Sequence, residues 1–459
     1  PYIPPQSPTR LSATVTDEGI VTLSWTAPVN TGGNALTQYF VGYCTGTVEV
    51  CKFRPTIKIG SNGVLATTTT FRELPGTYTY YVAAANDAGR EDCADLKKIK
   101  CGASVRVVVG NDDDSDDSDE GFHMKAAVLR SGHMVVDTFA EPVPGEGEVL
   151  VAVHACGICG SDLYFVHHGA NFLALTSEMN GVTKRPPVDL ARDVHMGHEF
   201  CAEVLEWGPR TTGPKPGTLV TSMPVLMRNG ERQSLSFSNS AAGAYGERMV
   251  LSSELLVPVP SGVTAVNAAL TEPLAVGLHA VNASGIKQGQ SAVVIGCGPV
   301  GLTLIACLKN VGISPVIASD YSPARRAIAA QMGADVVVDP REQDVVSAWQ
   351  QHDGKQPLVV FEAVGVPGLI NTVMRDVPRE TKIVVVGLCM EPDTFQPVFG
   401  VLKELTLQFV VTYSPQDFER AMHLIAEGTI DVSPMVTGQV GLDDIAQAFS
   451  DLSQADQHT

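Results

Sequence analysis

The sequence predicts a multidomain protein in which an N-terminal all-β sandwich precedes an α/β region built on a doubly wound parallel sheet. Residues 1–110 show short alternating apolar runs, turn signals and no helical periodicity, as a sandwich does. Residues 111–120 are almost entirely acidic residues and serine, which cannot bury an apolar face. Between residues 291 and 386, apolar runs alternate with helix-like segments, as in a parallel sheet covered on both faces.

The alternating runs of the N-terminal segment include residues 20–25 (Ile-Val-Thr-Leu-Ser-Trp) and residues 77–84 (Thr-Tyr-Thr-Tyr-Tyr-Val-Ala-Ala). Residues 23–28, 74–78 and 82–86 are similar to the sequence pattern of a fibronectin type III domain. The resemblance implies a module that binds, spaces or decorates, and its partner is unknown. Residues 111–123 then read as an extended acidic linker.

Charge and hydropathy exclude several classes of protein. A net charge of −19 argues against nucleic acid as a main partner, because polyanions would be repelled. No apolar run approaches the length of a membrane span, and residues 1–10 lack the features of a signal peptide. We therefore expect a cytoplasmic protein with no membrane partner.

The early cysteines could pair in an oxidising compartment, and the sequence leaves their bonding open. They are Cys44, Cys51, Cys93 and Cys101.

The strongest chemical signal is the glycine-rich segment 291–301, Ser-Ala-Val-Val-Ile-Gly-Cys-Gly-Pro-Val-Gly. Its apolar strand would turn at Gly296, Gly298 would admit a pyrophosphate, and Gly301 would allow the next helix, residues 302–309, to pack close to the sheet. The N-terminus of such a helix attracts phosphate. The segment therefore predicts dinucleotide binding by Gly296, Gly298, Pro299, Val300, Gly301, Asp320 and Arg325.

The type of dinucleotide depends on residues about twenty positions further on. Asp320 follows the next apolar run, where a carboxylate accepts both ribose hydroxyls of an adenosine and repels a 2′-phosphate. Arg325 and Arg326 could instead bind that phosphate, or could lie on a solvated helix face. We expect NAD, with NADP as the less favoured coenzyme.

A second group of residues has the chemistry of a catalytic zinc site, which needs soft or borderline ligands and an exchangeable position. Cysteine, histidine and glutamate supply such ligands, and one thiolate with one carboxylate neutralises Zn²⁺. Each residue alone has an ordinary structural explanation. Cys156 and Cys159 could be half of a zinc ribbon, but the sequence contains no second CxxC. The residues in question lie in the segments 156–162 (Cys-Gly-Ile-Cys-Gly-Ser-Asp), 197–199 (Gly-His-Glu) and 271–273 (Thr-Glu-Pro).

From Met124 onward the chain resembles the medium-chain zinc-dependent alcohol dehydrogenases, nearest the sorbitol, butanediol and threonine dehydrogenase branch. The match rests on segments 157–162, 197–199 and 272–277 and on the glycine fingerprint, in the order of the family. The resemblance implies a GroES-like β-rich catalytic domain in residues 124–273 and 412–459. A Rossmann domain for NAD would occupy residues 274–411.

The resemblance also implies roles for individual residues. Cys159 and His198 would be zinc ligands, and Glu199 and Glu272 would be carboxylates at or next to the metal, one of them exchanging with water. Ser161 would contact the substrate hydroxyl and begin the proton exit, and Asp162 would brace the site. The predicted catalytic residues are thus Ser161, Glu199 and Asp162, and the predicted metal-binding residues are Cys159, His198, Glu199 and Glu272.

The chain departs from the family pattern in four places. Tyr164 stands where many members have a relay histidine, and His167 or His168 could replace it. Residues 200–250 contain a single cysteine, so we expect one catalytic zinc and no structural zinc. The stretch 169–194 is longer than usual and could reshape the substrate mouth. The sequence given also ends without the family's usual closing strand.

The sequence therefore predicts a zinc-dependent enzyme that transfers a hydride between a secondary alcohol or polyol and NAD. A homo-oligomer, dimer or tetramer, is expected from the resemblance. Two alternatives remain open. The fibronectin-like module could carry the biological role in binding or adhesion, fused to an inactive or passenger dehydrogenase. Alternatively, the enzyme could be a zinc-free reductase of the same superfamily, which would have no need of Cys159, His198 and Glu272.

Overall fold

The protein divides into two units, Pro1–Asp119 and Glu120–Thr459. A computed structural model provides the coordinates. No described helix is both long and apolar enough to cross a membrane. The structure describes residues 9–15, 20–27, 36–45, 50–53, 57–58, 68–72, 76–86, 89–90, 103–109, 123–179, 188–228, 230–352 and 354–453.

The described part of the first unit consists of antiparallel strands. β2 alternates apolar and polar residues, and its apolar residues face a small core that includes Trp25 and Tyr39, whose rings meet edge to face at 5.1 Å. The sheets are ordered β1-β2-β6 and β4-β3-β7-β8, with β5 on β3 and β9 on β7. The strands are β1 (Thr9–Val15), β2 (Ile20–Thr26), β3 (Leu36–Thr45), β4 (Val50–Phe53), β5 (Ile57–Lys58), β6 (Thr68–Arg72), β7 (Gly76–Asn86), β8 (Gly89–Arg90) and β9 (Ala103–Val109).

The predicted alternating runs 20–25 and 77–84 therefore lie in β2 and β7. Cys44 lies opposite Cys51 in the register of β3 and β4, whereas Cys93, Cys101 and the acidic run 111–120 lie outside the described residues. The sandwich and its resemblance to fibronectin type III stay predictions.

The second unit begins with a β-rich region. Its two larger sheets run β11-β10-β13-β18 and β19-β12-β14-β15-β20, and β16 and β17 form a hairpin. The strands are β10 (His123–Arg130), β11 (His133–Ala140), β12 (Glu148–Gly157), β13 (Val194–Met196), β14 (Glu199–Trp207), β15 (Leu219–Ser222), β16 (Val225–Arg228), β17 (Glu231–Ser234), β18 (Phe237–Ser238), β19 (Arg248–Ser252) and β20 (Leu256–Pro258).

A long helix, α1 (Gly160–Glu178), interrupts these strands and departs from helical geometry at His168. Its apolar face packs on the first sheet: the ring of Phe165 is fully buried and stacks on Phe237 at 3.9 Å. Residues 169–178 of the predicted insertion 169–194 thus continue a helix anchored in the core, because Phe172 also contacts Phe165 and Phe237. Residues 180–187 lie outside the described residues.

The remainder of the unit contains the predicted parallel sheet, ordered β23-β22-β21-β24-β25-β26. The order reverses at β21, so the switch point lies at the carboxyl end of this strand. The strands are β21 (Ser291–Ile295), β22 (Val316–Ser319), β23 (Val336–Val338), β24 (Leu358–Glu362), β25 (Lys382–Val385) and β26 (Thr406–Phe409). The helices are α2 (Ala265–Ala269), α3 (Thr271–Ser284), α4 (Pro299–Asn310), α5 (Pro323–Gln331), α6 (Val345–His352), α7 (Leu369–Asp376), α8 (Pro397–Lys403), α9 (Pro415–Ala426) and α10 (Ile445–Leu452).

Two helix starts differ from the predicted ones. α4 begins at Pro299, not at residue 302, because proline is well suited to the first position of a helix and Gly298 supplies the extended cap. The amphipathic pattern of residues 442–452 predicts a helix from Leu442, whereas the structure has a 3-10 turn, Leu442–Asp444, before α10.

Backbone conformation and close packing explain two of the glycines in residues 296–301, the turn that is predicted to hold phosphate and is called the phosphate turn below. Gly296 has a φ of +95°, which favours glycine. A Cβ on Gly301 would lie 1.8 Å from the carbonyl oxygen of Gly296, whereas a Cβ on Gly298 would meet no atom within 4 Å. Gly301 therefore serves helix-to-turn packing, and Gly298 leaves space above the turn.

We predict unequal stability effects for Gly301→Ala and Gly298→Ala. The first must displace the turn and should destabilise the second unit by about 1–3 kcal/mol, as overpacking does. The second should leave the thermal unfolding midpoint nearly unchanged, since Gly298 already has an extended backbone. Calorimetry on both variants checks this, and equal stability of the two would contradict the packing role of Gly301.

Candidate active site

Three buried side chains of different chemistry converge in the second unit. One donor atom from each of Cys159, His198 and Glu199 lies within 4.8 Å of the other two. His198 and Glu199 are 7% and 5% exposed, and Cys159 is partly buried. Among the described residues this is the one group of three with metal-ligand chemistry. The structure thus brings together three of the four predicted metal ligands.

Local structure dictates where these donors lie. Cys159 is the N-terminal cap of α1, with extended backbone angles, so its thiol is held at the start of the helix. Glu199 opens β14 and pairs with Gly157 at the end of β12. A Cβ on Gly157 would lie 2.2 Å from Glu199 Oε2. Glycine is therefore required before Cys159 to admit the carboxylate.

Asp162 connects the helix cap to the histidine. Its Oδ2 accepts the backbone N–H of Cys159 at 3.2 Å and the phenol of Tyr245 at 2.7 Å. Its Oδ1 lies 3.4 Å from His198 Nδ1, and both atoms are buried without a hydrogen bond. This pair leaves Nε2 as the imidazole nitrogen free to bind a metal, as in carboxylate–histidine–metal arrangements.

Glu272 lies in the first turn of α3, next to the cluster but outside the group of three. Its Oε1 accepts the phenol proton of Tyr413 at 2.8 Å. Its negative charge nevertheless contributes to raising the pKa of Glu199, so the two carboxylates are close. Such an acid suits a position that exchanges with water.

The cluster is electrostatically unfavourable without a cation. Burial raises the pKa of the Cys159 thiol to about 11. Burial, followed by the charge of Glu272, raises the pKa of Glu199 to about 7. Burial disfavours the charged form of His198, but Asp162 and Cys159 together outweigh burial and hold the pKa of His198 well above its usual value. A divalent cation would stabilise the thiolate and the carboxylate in one place, so the donors fit Zn²⁺.

An open cleft of about 360 Å³ reaches this cluster. Its lining includes Glu199 and Gly157 together with Pro299 and Leu302 of α4. The cleft therefore joins the donor cluster to the first turn of the helix that begins at the phosphate turn.

Ser161 is partly exposed in the first turn of α1. Tyr164, one turn further, accepts a hydrogen bond from Asn171 at 3.2 Å, and its ring lies 4.7 Å from that of His168. His167 instead approaches the hydroxyl of Ser453 at 3.3 Å. Of the two histidines considered for an outer proton relay, His168 is therefore the one beside Tyr164.

The phosphate turn and the acid predicted to bind ribose are directly connected. Asp320 Oδ2 accepts the backbone N–H of Cys297 at 2.8 Å, and Oδ1 accepts that of Ser322 at 2.8 Å. These contacts hold the carboxylate at the carboxyl end of β22, beside the turn that contains Gly296 and Gly298.

The two arginines after Asp320 differ. Arg326 donates to the carbonyl oxygen of Asp320 and lies 3.0 Å from Asp339, so it does not lie on a solvated face. Arg325 Nε is buried and has no hydrogen-bond partner among the described residues. Arg325 therefore keeps a buried donor without a partner, whereas Nη1 of Arg326 is engaged by Asp320 and Asp339.

Sequence reasoning missed Tyr245 and Tyr413. Each places a phenol on a carboxylate of the cluster, Asp162 and Glu272 respectively. Neither lies in a motif, and their partners are 83 and 141 residues away in the chain.

Comparison with known proteins assigns the second unit to a family. Residues 145–261 match the alcohol dehydrogenase GroES-like domain, and residues 299–427 match the zinc-binding dehydrogenase domain. Both matches lie outside the N-terminal unit.

Individual relatives agree with this assignment. The chain is 32% identical to (R,R)-butanediol dehydrogenase of Bacillus subtilis (strain 168), covering 68% of this chain and 90% of the relative. It is 28% identical to sorbitol dehydrogenase of Gallus gallus, covering 72% and 93%. A protein described as a zinc-binding dehydrogenase from Sinorhizobium meliloti 1021, solved with NADP, superposes with a TM-score of 0.62 at 28% identity, covering 72% and 96%. The protein is thus an oxidoreductase and belongs to the medium-chain zinc-dependent alcohol dehydrogenase family.

Proposed function

We propose that the protein transfers a hydride between a secondary alcohol or polyol and NAD, with one catalytic zinc ion per chain. The observation that carries the proposal is the convergence of Cys159, His198 and Glu199 within 4.8 Å, at a cleft that reaches the helix after the phosphate turn. Residues 124–273 and 412–459 would form the catalytic domain and residues 274–411 the coenzyme domain. The relatives named for butanediol and sorbitol support this class of substrate.

Cys159 Sγ and His198 Nε2 would hold the metal, and Glu199 and Glu272 would share the remaining protein position. When bound, zinc supplies Lewis-acid polarisation of the alcohol oxygen, and NAD accepts the hydride. The Tyr413 phenol holds Glu272 through a 2.8 Å hydrogen bond and limits its reach. Asp162 would orient His198 through the ring nitrogen Nδ1, which lies 3.4 Å from Asp162 Oδ1.

The proton of the alcohol needs a route out of the cleft. Ser161 would accept it first, because a hydroxyl at the first turn of α1 can both accept and donate. Tyr164 and the adjacent His168 ring lie one to two turns further along the same helix and would carry the proton outward. Tyr164 occupies the place of the family's relay histidine, and the ring of His168 lies 4.7 Å from the ring of Tyr164, so His168 is the histidine placed to take over that role.

NAD is favoured over NADP because Asp320 is fixed beside the phosphate turn by two backbone N–H groups. A 2′-phosphate would face this carboxylate. Arg325, with its unpartnered Nε, would contact the coenzyme from the next helix.

Retention of all the predicted metal donors disfavours both an inactive dehydrogenase and a zinc-free reductase. A binding role for the N-terminal unit stays a separate proposal.

Assembly into a dimer or tetramer is supported by the open edge strand β26, where Phe409 is 66% exposed, and by Val401 and Leu402 of α8, which are 75% and 72% exposed.

Cys159→Ser should abolish zinc retention and NAD-dependent oxidation of polyols and diols. Losing the thiolate should lower metal affinity and turnover at least about a hundredfold, beyond the effect of losing an outer hydrogen bond. Elemental analysis and a screen of polyols, diols, primary alcohols and threonine measure both quantities. Cys307→Ala, which removes a thiol from the interior of α4, is the control. Unchanged activity of Cys159→Ser would refute the ligand assignment.

Asp320→Ala should shift coenzyme preference toward NADP. Loss of the charged acceptor removes about 1.5–3 kcal/mol of binding to the ribose hydroxyls, or about 10–100-fold in kcat/KM for NAD. Steady-state kinetics with both coenzymes check this, and Asp339→Ala is the matched acidic control. A wild-type preference for NADP, or an unaltered ratio in Asp320→Ala, would contradict the proposed role.

Zinc affinity should rise with pH between 6 and 8, because ligands must lose their protons to bind the metal. With a pKa of about 7, Glu199 alone should account for about a tenfold change over this interval. Its raised pKa also means that the metal-free protein is stabilised below about pH 4.5 and loses that contribution as the pH rises through 7. Glu199→Gln should flatten both profiles; a zinc-binding profile as steep as that of the wild type would exclude Glu199.

A further inference from the structure

Tyr245 is a buried side chain that the proposed reaction does not use. It is 3% exposed, and its hydroxyl lies 2.7 Å from Asp162 Oδ2 and 3.1 Å from the carbonyl oxygen of Gly157. A phenol has one proton to donate, and a carboxylate is the stronger acceptor. Tyr245 therefore donates to Asp162.

The backbone of Tyr245 is held by two neighbours, the segment that precedes His198 and strand β10. Tyr245 N–H donates to the carbonyl oxygen of Met196 at 3.1 Å, and Ala127 N–H donates to that of Tyr245 at 2.7 Å. A Cβ on Gly197 would lie 2.6 Å from the nitrogen of Tyr245, so only glycine permits this approach. The ring meets Phe449 edge to face at 5.7 Å. The direction of the hydroxyl is thus fixed by the fold.

Asp162 has no solvent contact, and the two donors to its Oδ2 determine which way its other oxygen points. That oxygen faces His198 Nδ1 at 3.4 Å. We propose that Tyr245 is a positioning residue for the metal site: its hydroxyl orients Asp162, and Asp162 in turn aims His198 Nε2 at the metal. The inference rests on the proposed zinc site.

A purely structural hydroxyl would give a different result. In that case loss of the hydroxyl would change the stability of the metal-free protein and leave zinc affinity unaltered. If Tyr245 acts through Asp162, zinc affinity must fall, because a histidine that is less well oriented binds the metal less tightly.

Tyr245→Phe tests this, since it keeps the ring and removes only the hydroxyl. Titration of the full-length metal-free protein with Zn²⁺ against a chromophoric chelator should show a dissociation constant raised at least about tenfold, the lower end for an outer partner of a ligand. Ser284→Ala is the matched control: it removes a buried hydroxyl bond at the far end of α3, about 18 Å from Glu272 along the helix. The control should bind zinc as the wild type does.

A double-mutant cycle with Asp162→Asn tests whether Tyr245 acts through Asp162. If it acts only in this way, adding Tyr245→Phe to Asp162→Asn should weaken zinc binding by less than about twofold. The absorption spectrum of the cobalt-substituted protein should change in Tyr245→Phe and not in Ser284→Ala. If Tyr245→Phe binds zinc with wild-type affinity, or if Ser284→Ala loses as much zinc affinity as Tyr245→Phe does, the positioning role of Tyr245 is wrong and the proposed zinc site still stands. Failure of the wild type to bind one zinc would overturn the proposed site as well.

Discussion

The active-site region depends on holding three ionisable donors in one water-poor place. A thiol, an imidazole and a carboxylate, each partly or fully buried, lie within 4.8 Å of one another. Burial, as the largest cause, raises the pKa of Cys159, and burial followed by the charge of Glu272 raises the pKa of Glu199, so ionising both side chains here costs free energy that a bound cation would offset. The surrounding structure supplies the geometry: a helix cap for Cys159, a strand register for Glu199, and glycines at 157 and 197 that admit close contacts.

The helix α3 connects this cluster to the helix that starts at the phosphate turn. α3 carries Glu272 in its first turn, beside the cluster, and further along it packs on α4, the helix that starts at the phosphate turn. The approach is very close, because a Cβ on Gly277 would lie 2.5 Å from the Thr303 hydroxyl oxygen. In the proposed function, this close contact between α3 and α4 would set the separation between the metal donors and the coenzyme, which hydride transfer requires to be short.

Local patterns predicted the parts of the fold and site that depend on neighbouring residues. The continuous apolar runs 316–319 and 336–338 predict parallel strands covered on both faces, and β22 and β23 have these same bounds. The donors Cys159, His198 and Glu199 lie in short motifs whose spacing is visible in the chain. Tyr413 and Tyr245 could not be found in this way, since each meets its carboxylate only through tertiary packing. The ion pair of Arg326 with Asp339 likewise depends on how β22 and β23 align.

The most direct test of the account is zinc-edge anomalous diffraction from crystals of the zinc-loaded protein with NADH. The account predicts a single anomalous peak per chain, about 2.3 Å from Cys159 Sγ and about 2.0–2.1 Å from His198 Nε2, with an oxygen of Glu199 or Glu272 completing the protein ligands. The nicotinamide ring should lie across the cleft from that peak. A peak elsewhere, or donors that stay apart under saturating zinc, would contradict the account.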